Sequence, residues 1–232
     1  MADKKQKDSA ESGFESVENA LSRTEKYIEE NQKSLLIIVA AIIVIIGGYI
    51  GYRRFLVAPK EKEAQAQIFV AEQYFQRDSF NLALQGDGNN LGLLDIIDDY
   101  GITKTANLAQ YYAGISYLRL GQYEDAIDHL KQFDSDDNMI APIALGAIGD
   151  AYSELEDYDE AIDFYMKAAH FGKNEFITPI YLMKAGLLYE ENEKYGKAVE
   201  VYKKIKTDYV NTSEGRQIDK YISRASTKAS QK

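Results

Sequence analysis

The 232-residue sequence contains no cysteine, only two histidines and only three prolines. The absence of cysteine excludes disulfides, thiol chemistry and cysteine-ligated metal, and it leaves the redox state of the compartment open. His129 and His170 have no ligand spacing to any partner, so we interpret them as ordinary helix-surface residues. The rarity of proline and the lack of alternating β-branched runs predict an all-α protein.

Positive charge is also scarce, because 27 Lys and Arg stand against 37 Asp and Glu, for a net charge of −10. Binding to nucleic acid needs a basic face, and none is visible. The phosphate-binding motifs GxGxxG and the P-loop are absent, as is the nucleophile motif GxSxG. We therefore expect no catalytic residues, no cofactor, no metal and no small-molecule substrate, and we expect a protein partner.

One long apolar run, residues 35–52, holds eighteen residues without a charge between Lys33 and Arg53. At 1.5 Å of rise per residue, such a helix is just long enough to cross a hydrocarbon core of about 30 Å. A buried core helix is the alternative, but such helices usually interrupt their apolar runs with polar residues. We predict a single transmembrane helix that stays attached as a signal anchor, because no cleavage site directly follows it.

Small residues share one face of this predicted span. Ala40, Gly47 and Gly51 lie seven and four residues apart, and Gly47-x-x-x-Gly51 is a spacing that lets two helices approach closely. The pattern predicts a contact between transmembrane helices, and a homodimer and a heteromer both stay open. The Lys and Arg residues beside the run do not decide which end is cytoplasmic.

The rest of the chain divides around this run. Residues 1–34 form a tail that begins disordered and then predicts a short amphipathic helix on Phe14, Val17, Leu21 and Ile28. This helix either rests near the membrane surface or docks on a membrane partner. Behind the run we predict a linker at 53–63, a helical repeat domain at 64–226 and a disordered tail at 227–232.

A four-residue motif recurs in the repeat domain with identical internal spacing. A small residue is followed three positions later by Tyr, then after six by an aromatic residue, then after three by Ala. The copies are Ala71-Tyr74-Phe80-Ala83, Gly114-Tyr117-Tyr123-Ala126, Gly149-Tyr152-Tyr158-Ala161 and Gly186-Tyr189-Tyr195-Ala198. Small residues that face each other let two helices pack closely, so the motif predicts helical hairpins.

Over residues 64–210 the chain resembles the tetratricopeptide repeat (TPR) family, whose repeat is about 34 residues long. The resemblance implies a solenoid of about four hairpins, with Ser213 to Ala225 as a capping helix. Turns are expected near Gly121, Glu156 and Asn192, and Pro142 and Pro179 suit the first turns of helices.

The first copy departs from the others. The later copies place an apolar residue four positions beyond the Ala, at Leu130, Tyr165 and Tyr202, whereas the first has Asp87 within the insertion Gly86 to Asn90. The insertion lacks the ligand order of a calcium loop, so we predict a turn that breaks one helix into two, with a helical run at 91–100. The acidic stretch 134–137 is similarly predicted to be a solvated loop.

A TPR solenoid forms a concave groove from the inward faces of its first helices. The resemblance places in this groove Phe75, Tyr111, Ile115, Arg119, Asp150, Glu154, Met183, Leu187, Glu190 and Glu191. The alternative is that several of these residues pack between repeats. Some TPR domains hold a terminal carboxylate with a clamp of Lys and Asn, and this sequence does not have that clamp. The mixture of aromatic, Met and acidic side chains in the groove suits a peptide with apolar and some basic residues.

The span and the repeats together are similar to the YfgM-like bacterial family, described as ancillary subunits of the Sec translocon. The resemblance rests on Glu30-Asn31-Gln32-Lys33, Tyr52-Arg53-Arg54-Phe55, and the segments 71–85 and 180–186. It implies an inner-membrane protein with a cytoplasmic amino terminus and a periplasmic TPR domain, associated with SecYEG and chaperone-like toward secreted clients. The glycine-rich insertion suggests a Bacteroidota-type member. A cytosol-facing receptor and a scaffold of an envelope complex are the alternatives.

Overall fold

The computed structural model describes residues 31–172 and 174–231. It divides into two compact units, one that ends at Ala58 and one that begins at Pro59. Every regular element in these described residues is helical, which confirms the all-α prediction. The amino-terminal tail with its amphipathic helix at 14–28 lies outside the described residues.

The first unit contains the helix α1, described from residue 31 to residue 52. It belongs to a helical stretch, Asn31–Gln76, that is long and apolar enough to cross a membrane, and none of its most apolar window is buried. Ile37, Val44 and Ile45 are each about 70% exposed. A core helix would bury such side chains, so this part of the chain does not have the character of a soluble core.

A π-helical turn, Arg53–Val57, follows α1, and the amide of Ala58 donates to the carbonyl of Arg53 five residues back. Pro59 comes directly afterwards. Its ring has no amide hydrogen and crowds the carbonyl four residues earlier, and a locally wider helix relieves this crowding.

The sequence predicted a linker at 53–63, but the structure makes these residues helical, because α2 (Ala58–Gln76) begins inside that range. The Glu61 carboxylate accepts hydrogen bonds from the amide of Lys104 at 2.7 Å and from the hydroxyl of Thr105 at 2.9 Å. Burial alone would raise the pKa of Glu61, yet these hydrogen bonds outweigh it and lower the pKa. The start of α2 is therefore tied to a helix more than forty residues away.

The second unit is a row of antiparallel hairpins that ends in a single helix, which confirms the predicted solenoid of four repeats. The hairpins are α2 with α3 (Phe80–Gln85), α5 (Lys104–Arg119) with α6 (Tyr123–Gln132), α7 (Ile140–Glu154) with α8 (Tyr158–His170), and α9 (Thr178–Glu191) with α10 (Tyr195–Asp208). The short α4 (Leu93–Asp99) follows the first hairpin. The last helix, α11 (Ser213–Ser230), packs on α10 as a cap.

The hairpin turns share one backbone geometry. The residue seven positions after each motif's small residue is left-handed, with φ of 56° at Asp78, 75° at Gly121, 61° at Glu156 and 55° at Glu193. The next amide donates to the carbonyl of the motif tyrosine, as Gln122 does to Tyr117 at 2.9 Å. This is a Schellman ending, which satisfies carbonyls left free at a helix end.

The motif glycines allow the two helices of a hairpin to touch. A Cβ at Gly186 would lie 2.2 Å from the ring of Tyr202, and one at Gly149 would lie 2.7 Å from the ring of Tyr165. At Gly114 the neighbour is the side chain of Leu130, at 2.5 Å. In each case, glycine leaves the space that a large residue sixteen positions later fills.

The insertion after the first hairpin is a turn, as predicted. The Asn90 side chain, the amides of Asn89 and Asn90 and the hydroxyl of Tyr74 all donate to Asp87 and hold the pKa of its carboxyl well below its usual value. Behind this turn, α4 places Leu93 and Ile96 fully inside the core of the first repeat.

The capping helix is longer than expected. The sequence predicted a disordered tail from 227, yet α11 continues to Ser230. Ala225 is fully buried, and the ammonium of Lys228 lies 5.3 Å from the ring centre of Tyr195. These contacts hold the last turns of α11 against the fourth hairpin.

Candidate protein-binding clefts on the inward helices

A central cleft of about 590 Å³ opens between α5, α7 and α9, the first helices of the last three hairpins. Its apolar wall comes from Ile115, Leu118, Ile143 and Ala147, with the rings of two tyrosines from α8 and α9. Its polar lining consists of Arg119, Tyr123, Asp150, Ser153, Glu154 and Lys184. The cleft therefore combines an apolar wall with a few charged groups, which is typical of a binding site.

Asp150 is neutralised inside this cleft. The ammonium of Lys184 lies 2.6 Å and 2.9 Å from its two carboxylate oxygens, and the hydroxyl of Tyr165 donates to it at 2.6 Å. Burial, and then the hydrogen bond to Asp150, raise the pKa of Tyr165 far above its usual value. Because this acid is already paired, Asp150 contributes little net negative charge to the cleft.

Two tyrosine rings form a shelf beside this ion pair. The rings of Tyr165 and Tyr181 stack with centroids 6.1 Å apart, and the Lys184 ammonium lies 5.4 Å and 5.7 Å from them. Gly146 makes room for this shelf, since a Cβ there would lie 2.0 Å from the ring of Tyr181. Burial raises the pKa of Tyr181, which keeps it neutral.

Arg119 and Glu154 provide the exposed charge at the rim. Glu154 accepts a hydrogen bond from the hydroxyl of Tyr123 at 3.2 Å, and its side chain stays exposed. Arg119 is also exposed, and within the described ranges it forms no ion pair. A ligand in the cleft thus meets one cation and one anion beside an apolar wall.

A second cleft of about 530 Å³ lies between α9 and the cap, lined by Leu187, Glu190, Glu191, Glu193, Tyr195, Arg224 and Lys228. Glu190 is only 7% exposed, and it accepts hydrogen bonds from Arg224 at 2.7 Å and 2.9 Å and from Tyr202 at 2.8 Å. Burial would raise the pKa of Glu190, but these donors outweigh it and lower the pKa. Glu190 therefore holds the cap in place.

The predicted groove residues thus fall into three groups. The central cleft brings together Ile115, Arg119, Asp150 and Glu154, and the second cleft brings together Leu187, Glu190 and Glu191. The other three pack against neighbours: Phe75 on Phe80 and Tyr112, Tyr111 on Phe133, and Met183 on the core of the last repeats. In the span, Gly47 and Gly51 have no neighbouring atom within 4 Å of an added Cβ, and Ala40 is exposed.

The sequence did not predict six residues of the central cleft: Tyr123, Ile143, Ala147, Tyr165, Tyr181 and Lys184. Tyr181 and Lys184 precede Leu187 and Glu191 at helical spacing, so the inward stripe of α9 could have revealed them. Tyr165 lies on a second helix and reaches the cleft only because Gly149 leaves space for its ring, which no local pattern predicts.

Both histidines and the acidic loop have structural partners, and His170 Nδ1 lies 2.6 Å from the carbonyl of Met166. His129 lies 2.6 Å from the side-chain oxygen of Gln110 and stacks on Tyr117, and burial lowers its pKa. Asp137 accepts hydrogen bonds from the amides of Met139 and Ile140, at the start of α7. Within residues 31–172 and 174–231, no group of three or more acidic or histidine side chains is arranged to hold a metal ion.

Family comparison finds tetratricopeptide repeats at residues 108–136, 143–169 and 181–212. These ranges lie on the second, third and fourth hairpins, whose first helices form the central cleft. No curated protein matches the chain in sequence.

Solved structures with a similar fold include the TPR-like repeats of a kinesin light chain-type protein from Podosopora anserina and a single-residue variant of the same protein. Each has a TM-score of 0.54 and 14% sequence identity, over 73% of this chain and 88% of that one. At this identity the likeness shows the fold alone. The chain therefore carries a TPR-like solenoid, and its likeness to the YfgM-like family stays a prediction.

Proposed function

We propose that this protein is a non-enzymatic, membrane-anchored adaptor that binds a segment of another protein in the central cleft. The observation that carries the proposal is the apolar wall of Ile115, Leu118 and Ile143 between the exposed charges of Arg119 and Glu154. TPR domains bind protein partners through such inward surfaces, and an apolar surface of this kind favours contact with another protein.

The chemistry of the cleft describes the segment that it would hold. Apolar side chains suit the wall and the tyrosine shelf, an acidic residue suits Arg119, and a basic residue suits Glu154. The Asp150–Lys184 pair offers little net charge to a ligand, because each group already neutralises the other. An extended or helical peptide with apolar residues and both charge signs is therefore favoured, whereas the sequence predicted a peptide with apolar and some basic residues.

The helix α1 would anchor the repeats to a membrane, since it is long and apolar enough to cross one. The YfgM-like resemblance supports a cytoplasmic amino terminus, periplasmic repeats, and a place beside the Sec translocon where secreted segments emerge. Gly47 and Gly51 leave the helix surface open for close contact with a membrane partner. A translocon subunit or a second copy of the chain would suit this face.

Photocrosslinking from the cleft tests the proposed binding. A photoreactive residue at Glu154 is expected to crosslink to other proteins in cells, whereas the same residue at Lys203 on α10, which is exposed away from the cleft, is not. Equal crosslinking at both positions, or none at Glu154, overturns the proposed site. Many weak products indicate a client binder, and one stoichiometric product indicates the scaffold alternative.

A single cysteine tests the orientation, because the natural sequence has none. Ser213→Cys places an exposed thiol at the start of α11. Labelling by an impermeant reagent in intact spheroplasts supports periplasmic repeats. Protection until the membrane is opened contradicts them and favours the cytosol-facing receptor.

Leucine in place of Gly47 and Gly51 tests the role of the span face. The double variant should insert into the membrane normally and co-purify less with translocon subunits in mild detergent. If co-purification is unchanged, the membrane partner binds elsewhere on the chain.

A further inference from the structure

The repeats have two edges of different character. One edge carries the hairpin turns, and the other, here called the inter-repeat edge, carries the connections 100–103, 133–139, 171–172 with 174–177, and 209–212. Hydrogen bonds follow this edge from repeat to repeat. Glu61 binds Thr105 at 2.9 Å, Asn107 binds the carbonyl of Asp134 at 2.8 Å, and Asn174 binds the carbonyl of Asn138 at 3.3 Å.

Every connection on the inter-repeat edge exposes at least one large apolar side chain in or beside it. These residues are Ile102, Met139, Ile140, Phe176, Ile180 and Val210, and Phe176 is 79% exposed. Three of the four hairpin turns, 77–79, 155–157 and 192–194, instead carry charged residues, and the fourth, 120–122, has none. The exposed large apolar side chains in or beside these turns are Leu155 and Leu82, at 37% and 41%. Exposed apolar side chains that cluster on one edge favour contact with another surface.

The short distance along the chain between the apolar run and α2 favours a membrane as the surface that the inter-repeat edge contacts. The helix α2 begins at the inter-repeat edge, where Lys60 donates to the carbonyl of Asp99 at 3.0 Å. Six residues separate the apolar run from Pro59, so the chain cannot carry Pro59 farther than about 25 Å from the end of the run. A bilayer crossed by that run therefore lies within reach of this edge.

We propose that the inter-repeat edge rests on the lipid surface, with Phe176 and its neighbours Met139, Ile140 and Ile180 inserted at the headgroup level. This inference rests on the proposed membrane anchor. Asp134, Asp136, Asp137 and Glu175 flank these side chains, so the contact depends on apolar insertion and gains nothing from anionic lipid.

The chain contains no tryptophan, so a single introduced tryptophan is a clean fluorescent reporter. The full chain is reconstituted in phosphatidylcholine vesicles, with or without bromine on the acyl chains, which quenches tryptophan at short range. Phe176→Trp reports the inter-repeat edge, and Leu155→Trp reports the opposite edge at the other end of α7. Ile43→Trp, inside the apolar run, reports membrane insertion itself.

The proposal predicts that bromine lowers the fluorescence of Trp at 176 roughly twofold and leaves Trp at 155 nearly unchanged. Met139→Trp gives a second reporter on the same edge and should also be quenched. Quenching at 43 without quenching at 176 or 139 overturns the edge contact and leaves the anchor standing. No quenching at 43 contradicts the anchor itself.

A second arm replaces part of the phosphatidylcholine with an anionic lipid. Unchanged quenching at 176 supports apolar insertion. A clear rise would contradict it, because headgroup charge would then carry the contact.

Discussion

The first repeat and the last three close their hairpins by different means. In the last three, glycine at 114, 149 or 186 admits a large side chain sixteen residues later. In the first repeat the corresponding residues are Ala71 and Asp87, and α4 fills the core with Leu93 and Ile96 instead. The glycine is therefore half of a size-matched pair, and it has no role where its partner is polar.

The same difference decides where the cleft lies. The inward Phe75 of the first repeat packs on Phe80 and Tyr112, whereas the corresponding residues of α5 and α7, Leu118 and Ser153, line the central cleft. The tetratricopeptide matches also begin at residue 108, within α5. The first repeat is thus a closing element of the solenoid, and the last three present the proposed binding surface.

Gly186→Ala is expected to have the largest effect, because its Cβ would lie 2.2 Å from Tyr202 in the best-buried pair. Overpacking of this kind should lower the free energy of unfolding by about 2–3 kcal/mol, measured by urea denaturation. Gly196→Ala on α10 is the matched control, because nothing lies within 4 Å of its added Cβ, and it should stabilise by about 0.5 kcal/mol. Equal behaviour of the two variants would contradict the size-matched pairing.

Arg224→Met removes the charge that joins the cap to the last repeat, and it leaves Glu190 buried with only Tyr202 as a donor. At neutral pH it should cost about 1–3 kcal/mol of unfolding free energy. Because pairing lowers the pKa of Glu190 in the folded state, the wild type gains this stability above the ordinary value near 4.5 and loses it as pH falls through the folded pKa.

The difference between Arg224→Met and the wild type should therefore shrink in acid. Lys220→Met, on an exposed position of the same helix, is the control and should change little at either pH. If the cost of Arg224→Met is the same at pH 7 and at pH 3, the ion pair does not close this end of the solenoid.

Glu156→Gly and Gly121→Ala should change the unfolding free energy in opposite directions, because the backbone is left-handed at both positions. Glycine at 156 should raise the unfolding free energy by about 0.5–1 kcal/mol, and alanine at 121 should lower it by about 1 kcal/mol. Thermal denaturation measures both. A loss of stability in Glu156→Gly would mean that the Glu side chain, not the backbone, matters at this turn.

Asp87→Ala is expected to have the smallest effect, confined to the insertion of the first repeat. The amides of Asn89 and Asn90 lose their acceptor, so their hydrogen exchange should become faster while amides of the last three repeats stay unchanged. Faster exchange throughout the solenoid would show that the first repeat supports the others more than we infer.

The sequence predicted features that depend on local spacing. The motif positions, the places of the hairpin turns and Pro179 at the start of α9 all follow from short-range backbone and packing rules. The helical state of 53–63 was missed because Glu61 finds its partners at Lys104 and Thr105. Contacts that distant along the chain have no signature in a local pattern.

The lining of the central cleft was predicted only in part for the same reason. Inward spacing on the first helices located Arg119 and Glu154, but it did not show that Lys184 pairs with Asp150 from the next repeat. Phe75 was placed in the groove because the first repeat was assumed to match the others. The insertion and α4 break that equivalence.

The most direct test of the account is a photocrosslinking scan at one equivalent position in each repeat. Gln76, Arg119, Glu154 and Glu191 each lie five residues after the motif's small residue, and all four are exposed. The account predicts strong crosslinks to a partner protein from 119 and 154, weaker crosslinks from 191, and none from 76. A crosslink from 76 as strong as that from 154 would contradict the claim that the last three repeats alone present the binding surface.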